Sequence, residues 1–248
     1  MNLTQFFTEH PNAAIAFSGG VDSAYLLYAA VRSGADVTAY YVNTAFQPRF
    51  ELEDAKRLAR ELGARMRILE VDILCHDTVT ANPTDRCYHC KKAIFSAILD
   101  AAKADGYDLI LDGTNASDDA SDRPGMRALR ELEVRSPLRE AGLTKGEIRR
   151  LSREAGLFTH DKPAYACLAT RIPTGEGITP EKLQKTEAAE TWLSSLGLRD
   201  FRVRLLDGNA KLQVTEKDLE TVLRRREEIV AELKKYYQNV LLDLEVRP

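Results

Sequence analysis

Six consecutive residues, Ser18-Gly19-Gly20-Val21-Asp22-Ser23, place two glycines, two hydroxyls and a carboxylate between a short apolar run and an amphipathic helical pattern. Glycine permits a tight turn and lets the backbone come close to a ligand. The amides of the following helix start, together with the two hydroxyls, then converge on one point and form an anion cradle. The loop lacks the Gly-Lys-Ser/Thr ending of a Walker A motif, and no Gly-x-Gly-x-x-Gly occurs anywhere in the chain. Neither an ordinary nucleoside triphosphatase nor a dinucleotide-binding site is expected.

Four cysteines form the second group. Cys87-Tyr88-His89-Cys90 precedes a helical pattern, and Cys167 lies in Lys162-Pro163-Ala164-Tyr165-Ala166-Cys167-Leu168-Ala169-Thr170-Arg171. A C-x-x-C at a helix start holds two thiols close together. Three thiolates can ligate a [4Fe-4S] cluster and leave one iron open. Zinc needs four ligands and could take Cys87, Cys90 and Cys167 with His89 or Cys75. A dithiol redox pair is the third possibility, and Cys75, after an apolar stretch, reads as a small buried residue.

These residues need elements to position them. Apolar runs at 13–17, 37–42, 66–71 and 108–111 alternate with amphipathic helices at 22–32, 51–62 and 91–104. Strands alternating with helices of this length imply βαβ units and a doubly wound parallel sheet, an α/β fold with ligands at the carboxyl ends of the strands. Asn43 ends the second run, and Gly113, Thr114 and Asn115 follow the fourth, with Asp118 and Asp119 next. All lie on the same edge as the glycine loop, so one nucleotide can touch all of them. Thr144 and Glu147 form a capping-box pattern that opens a helix over 145–155, closed by Gly156.

The texture changes at 158–180, where three prolines and two glycines break any period. A helix at 179–196, strands at 201–206 and 211–214 around an Asp207-Gly208 hairpin turn, a helix at 217–237 and a strand at 240–246 follow. A boundary near residue 172 therefore separates a large domain, 1–172, from a smaller α+β domain, 173–248.

The balance of 35 basic and 38 acidic residues, net charge −3, creates no field that would draw the protein onto nucleic acid or an anionic membrane. The N-terminus has no basic, apolar leader, and no run approaches the ~18 apolar residues of a spanning helix. The expectation is a cytoplasmic protein with no nucleic-acid or membrane partner. Four cysteines in 248 residues do not make a disulfide scaffold.

The glycine loop resembles that of the PP-loop ATP pyrophosphatases, with an adenine nucleotide hydrolase-like fold. The chain as a whole resembles the LarE family of ATP-dependent sulfur transferases. SGGVDS at 18–23, RCYHCK at 86–91, DGTNASDD at 112–119, RPGMRA at 123–128, SPL at 136–138, KPAYACLATRIPTG at 162–175 and Arg202-Val203-Arg204 carry the resemblance. It implies that Ser18, Gly19, Gly20 and Ser23 contact phosphates and that Asp22 helps to place Mg²⁺. Asn43, Gly113, Thr114, Asn115 and Arg127 would complete the ATP site. Arg171, Glu190, Arg202 and Arg204 would serve a mononucleotide substrate, the two strand arginines clamping its phosphate.

One branch of the family spends a single cysteine as sulfur donor. This chain, with Cys87, Cys90 and Cys167, resembles the branch in which these three hold a [4Fe-4S] cluster that carries the transferred sulfur. The implied reaction adenylates a pyridinium carboxylate, releases pyrophosphate, and forms a thiocarboxylate with cluster-bound sulfide, in nickel-pincer cofactor biosynthesis. A sulfide donor, a homo-oligomer (dimer, trimer or hexamer) and transient contact with other proteins of the cofactor's assembly are also implied. Two other readings are a tRNA-thiolating PP-loop enzyme with an iron-sulfur cluster and a non-catalytic, zinc-containing ATP-binding protein.

Overall fold

The computed structural model describes residues 2–118 and 124–247; Asp119 and Arg123, two of the motif residues, lie outside the described residues. The chain divides into two compact units, Met1–Ile73 with Asp85–Lys162, and Leu74–Thr84 with Pro163–Pro248.

The first unit opens with α1 (Leu3–Glu9) and continues through β1 (Asn12–Ala16), α2 (Val21–Arg32), β2 (Asp36–Asn43), α3 (Arg49–Glu61) and β3 (Arg65–Glu70). The short α4 (Asp77–Thr80) belongs to the second unit. The first resumes with α5 (Arg86–Ala104), β4 (Ile110–Leu111), α6 (Pro124–Glu131), α7 (Pro137–Glu140) and α8 (Lys145–Glu154). The strands form one parallel sheet in the order β3-β2-β1-β4. Six of the eight β2 residues are buried, as expected of a central parallel strand covered on both sides.

Alternate residues of β1 and β2 feed opposite layers. Ile15, Ala39 and Tyr41 pack with Phe6, Leu26, Leu58 and Ile148 from α1, α2, α3 and α8. Ala14, Tyr40 and Val42 pack with Phe95, Ile98 and Leu129 from α5 and α6. Each buried Leu, Ile, Val or Phe among them contributes about 1.5–3 kcal/mol relative to exposure. The doubly wound α/β arrangement expected from the sequence is therefore present. Because β1 lies between β2 and β4, the chain runs off to opposite sides of the sheet at the ends of β1 and β4. In such sheets the crevice at this reversal is where ligands bind. Ile15 pairs with Leu111, which brings the loops after β1 and β4 together.

The second unit contains α9 (Pro180–Ser195), β5 (Arg202–Leu206), β6 (Asn209–Gln213), α10 (Glu216–Arg224), α11 (Arg226–Leu233) and β7 (Val240–Leu242). Asp207 and Gly208 both have positive φ, 47° and 80°, forming the tight turn of the expected β5-β6 hairpin. β7 joins β6 in parallel. The helix expected over 217–237 is two helices, interrupted at Arg225, where φ −99° and ψ 16° leave the helical range.

The division also departs from a boundary near residue 172, because the change of unit falls at Lys162 and Pro163. The reason is local. Asn82 is buried and its amide donates to the carbonyls of Pro173 (2.8 Å) and Glu176 (3.1 Å), while its own carbonyl accepts from Gly175. The segment 74–84 and the loop after 162 thus hold each other in the second unit. Among the described residues, no helix is long and apolar enough to cross a membrane.

Candidate active site

The phosphate loop leaves β1 at Ala16 and enters α2 at Val21. Gly19 adopts φ +72°, a region that favours glycine, and a Cβ there would stand 3.2 Å from the Cβ of Ala55 on α3. The hydroxyl of Ser23 donates to the carbonyl of Gly20 (3.2 Å) and lies 3.1 Å from that of Ser18, so the loop closes on itself. Gly20 caps α2 without any side chain to accept from the first-turn amides. Those amides are the donors that an anion at a helix start uses.

Asp22, the second residue of α2, gives the loop its charge pattern. Its Oδ2 accepts from Lys145 Nζ at 2.5 Å. Its Oδ1 is buried and has no hydrogen-bond partner. Burial pushes the Asp22 carboxyl above the usual carboxylate range, and the Lys145 ammonium only partly opposes this. A buried carboxylate oxygen without a donor fits a place where a cation sits.

Gly113 stands against this loop. A Cβ at Gly113 would lie 2.8 Å from the backbone nitrogen of Ser23 and 3.1 Å from its Cα. The loop after β4 is then built by its own polar groups. Asp112 accepts from the hydroxyls of Thr114 (2.5 Å) and Ser136 (2.6 Å). Asn115 accepts from the amide of Ser117, and its own amide donates to Asp118. Thr114 and Asn115 therefore have their side chains engaged in shaping the turn. Asn43, at the end of β2, donates from its amide to Glu70 at 2.8 Å.

Arg127 is not seen at the phosphate loop; it lies on α6 with its guanidinium 3.9 Å from the centre of the Tyr88 ring, beside the cysteine motif. Tyr88 in turn donates to Glu131 at 2.7 Å. The motif itself sits inside α5 rather than ahead of it, since the helix begins at Arg86. Cys87 is exposed and Cys90 half-buried, three residues apart on one helical face. Arg86 donates to the Cys87 sulfur at 3.8 Å. Cys167, half-buried, precedes a 3₁₀ turn at Leu168–Arg171 in the second unit. Cys75 is exposed, not the buried apolar residue expected, because the chain turns out to solvent in a 3₁₀ turn after Ile73. All four cysteines lie outside disulfides. Among the described residues, no group of three or more His, Cys, Asp or Glu is gathered as a metal site.

In the second unit, Arg171 and Glu190 form a bidentate pair, both contacts at 2.9 Å, with their side chains 0% and 5% exposed. Glu190 also accepts from Tyr165 (2.5 Å) and from the amide of Val203 (2.8 Å). The resemblance implied that Glu190 serves a mononucleotide substrate. The structure instead buries Glu190 with both oxygens doubly engaged, because α9 turns this side onto β5. Arg171 uses its remaining donors on the carbonyl of Ala166 (2.8 Å) and the hydroxyl of Thr170 (2.9 Å), fixing the chain around Cys167.

Arg202 and Arg204 do share one face of β5, as their alternation required, but that face is covered. Arg202 is buried and donates to the carbonyls of Ala164 and Phe201, both at 2.5 Å. Arg204 is half-buried and donates to Gln213 (2.5 Å) and to the carbonyl of Thr170 (2.7 Å). Burial, with Arg171 and Arg247 nearby, lowers Arg202 to about 10 and lowers Arg204 as well. The two are thus tethers of the cysteine loop and an incompletely neutralised positive field. They are not an open clamp.

One residue of the site was not foreseen. Lys145 was read only as the first residue of a helix. The signal was its placement directly after the cap Thr144, where the helix dipole disfavours a cation.

Comparison with known proteins places the chain in context. The family model for "Queuosine biosynthesis protein QueC" matches residues 12–93. A pyridinium-3,5-bisthiocarboxylic acid mononucleotide synthase of Lactiplantibacillus plantarum is 35% identical over 82% of this chain and 74% of its own length. The Synechocystis protein slr1717 is 37% identical over 98% of this chain and 92% of its own. A tRNA-specific 2-thiouridylase MnmA of a Thermotoga species is 28% identical over 60% of this chain and 53% of its own.

Proposed function

The chain belongs to the family of pyridinium-3,5-bisthiocarboxylic acid mononucleotide synthases, and we propose that it is an ATP-dependent sulfur transferase making a thiocarboxylate for a nickel-pincer cofactor. The observation that carries the ATP-cleaving half is Asp22, with one oxygen on Lys145 and the other buried without a partner, at a glycine loop pressed against Gly113. That oxygen fits a Mg²⁺ ligand, and Mg²⁺ bound there would offset the charge of the phosphates. The Gly20 helix start and the Ser18 and Ser23 hydroxyls would hold the pyrophosphate portion of ATP, with Asn43 on the same strand edge for the nucleoside.

A carboxylate oxygen of the pyridinium mononucleotide attacks the α-phosphorus, the bond to the β-phosphate oxygen breaks, and pyrophosphate leaves. A sulfide then adds to the acyl carbon and the C–O bond to AMP breaks, leaving the thiocarboxylate. Cys87, Cys90 and Cys167 are assigned as ligands of a [4Fe-4S] cluster, a group that would supply the sulfide. The donor set fits in type: three thiols, two of them a turn apart on α5. Arg204 supplies positive charge for the substrate phosphate, while Arg202 tethers the loop at Ala164 and Arg171 and Glu190 hold the chain that carries Cys167. The protein is further assigned to the cytoplasm as a homo-oligomer, with the first unit binding ATP and the second the mononucleotide.

The test is product analysis with the pyridinium substrate. AMP and pyrophosphate should form in equal amounts and Asp22→Ala should abolish both while leaving the fold intact. ADP and phosphate as products would overturn the reading. The similarity to MnmA covers about half the length of those relatives; RNA thiolated by the purified protein would favour that activity instead.

A further inference from the structure

On the function proposed above, a ring that ends as a bisthiocarboxylate carries two acid groups, and only one of them can meet the α-phosphorus in each round. The other is a spectator anion, and none of the residues assigned to the mononucleotide holds it. We propose that Lys91 of α5 binds this spectator acid, as a carboxylate in the first round and a thiocarboxylate in the second, and so selects a ring with two acids.

The face of the helix places Lys91. Cys87, Lys91, Phe95 and Ile98 recur at steps of three and four and share one side of α5. Phe95 and Ile98 are buried with Tyr40 and Val42 of the sheet and Leu129 of α6, so Lys91 continues the inward face towards the helix start. That start lies at the carboxyl edge of the sheet. The other end of α5 leads to Tyr107, whose hydroxyl is 2.8 Å from that of Thr38, near the beginning of β2. The phosphate loop and the Gly113 loop leave β1 and β4 at this same carboxyl edge, where the reacting acid has to meet ATP.

The surroundings of the side chain fit an anion site. Lys91 is half-buried. Its stem lies across the first turn of α6, where a Cβ on Gly125 would stand 3.0 Å from its Cδ and 3.2 Å from its Cε. Glycine weakens a helix relative to alanine, yet buried Gly125 stands where an added side chain would press on the lysine. Among the described residues, the Lys91 ammonium has no hydrogen-bond or ion-pair partner. Lys92 shows the contrast: more than half exposed, it reaches the Tyr88 hydroxyl at 3.3 Å and Glu131 at 3.6 Å. A half-buried cation without a counter-charge is costly unless a ligand supplies one.

Lys91 stays protonated throughout and only donates hydrogen bonds to the spectator acid; no bond of the substrate forms or breaks there. The contact is the same before and during adenylation. Its loss therefore raises KM and leaves kcat nearly unchanged.

The proposal rests on the functional reading, and the test keeps the two apart. Pyrophosphate release with Mg²⁺-ATP is measured with two mononucleotides, the pyridinium-3,5-dicarboxylate and the pyridinium-3-carboxylate, whose single acid must be the reacting one. In Lys91→Met, which keeps most of the stem, KM for the dicarboxylate should rise by about 10- to 150-fold, the range of a charge-assisted hydrogen bond, and its calorimetric affinity should fall by the same factor. KM for the mono-acid should stay within about twofold, and Lys91→Arg should recover part of the loss. Lys92→Met makes the same charge change one residue on and should leave both compounds unaffected. An equal rise for both compounds, an unchanged KM for the dicarboxylate, or the same selective rise in Lys92→Met would each overturn the proposal. Wild-type protein that releases no pyrophosphate with either compound would overturn the functional reading and the proposal with it. Lys91→Gln gives the same readout where the methionine variant does not fold.

Discussion

Gly113, in the loop after β4, and Ser23, in the first turn of α2, are ninety residues apart in the chain, yet the space a Gly113 side chain would need is occupied by the backbone nitrogen of Ser23, 2.8 Å away. The fourth strand's loop is thus a wall of the phosphate loop. Backbone cannot yield as a flexible side chain can. Gly113→Ala should therefore displace the first turn of α2, cost about 1–3 kcal/mol as overpacking, and suppress pyrophosphate release more than this loss of stability explains. Thermal unfolding read beside the pyrophosphate assay checks both; an alanine variant with full activity would show that the loops can separate.

Glu190 holds together four groups, and its loss should be felt far from solvent. Glu190→Gln removes the charge opposite Arg171, whose side chain is fully buried. A buried pair broken on one side costs about 3–5 kcal/mol, to be read as a lowered denaturant midpoint. The paired variant Arg171→Met with Glu190→Met should regain much of that stability. It should not regain thiocarboxylate formation, because the Ala166 carbonyl beside Cys167 loses its donor.

What could be read from residues alone followed their periods. The four parallel strands, the helices between them, the Asp207-Gly208 turn and the capping box at Thr144 all carry local signals, and each is present. α1 also had one: Asn2 and Gln5 form a reciprocal capping box at 3.0 and 2.9 Å, but seven residues are too short for a clear period. The grouping of 74–84 with the second unit depends on Asn82 reaching carbonyls some ninety residues ahead, which no local pattern encodes. For the same reason alternation put Arg202 and Arg204 on one face but could not say that a loop covers that face. That Lys145 reaches Asp22 shows only once α8 and α2 are side by side.

The helix that carries Cys87 and Cys90 is pinned at its far end. Tyr40 of β2 donates to Asp105 at 2.6 Å, and Arg67 adds a contact at 2.5 Å. These bonds, that of Tyr40 first, hold the Asp105 carboxyl below the usual carboxylate range. The unfolded chain therefore binds the proton more readily than the folded one. The stability supplied by this group is present above the ordinary carboxylate range and is lost as pH falls through the folded value. Asp105→Asn should lower the denaturant midpoint at neutral pH and flatten its decline below about pH 4. A decline as steep as in the wild type would assign acid sensitivity to other carboxylates.

The three assigned cluster ligands differ in exposure and in unit, whereas their contribution to an iron-sulfur cluster should be equal. Alanine at Cys87, Cys90 or Cys167 should each remove the broad visible absorption of anaerobically reconstituted protein. Cys75→Ala, at an exposed residue that is not one of the three assigned ligands, should leave it unchanged. A normal cluster in Cys167→Ala would reassign that residue as a sacrificial donor, with loss of H₂S from Cys167 by mass spectrometry after turnover. Stoichiometric zinc without iron in all forms would remove the cluster altogether.

Burial separates two arginines that alternation made equivalent. Arg202 is buried, with both terminal nitrogens donating to backbone carbonyls, and desolvation lowers it to about 10. An arginine so enclosed has little to offer a ligand, and its removal leaves the Ala164 carbonyl without its donor. Arg204 is half-buried and keeps a guanidinium nitrogen beyond those bonded to Gln213 and Thr170. Arg204→Ala should thus weaken binding of the mononucleotide by about 10- to 150-fold, the range of one ionic hydrogen bond, with ATP affinity unchanged. Arg202→Ala should instead lower the melting temperature, by roughly 2–4 °C for each kcal/mol lost in a chain of this size. Arg204→Lys should restore only part of the affinity, since lysine keeps the charge but not the planar fork. Calorimetric titration of both ligands into both variants, with a melting curve for each, tests the division. Equal loss of mononucleotide affinity in the two variants, without a drop in melting temperature for Arg202→Ala, would return both residues to a single phosphate clamp.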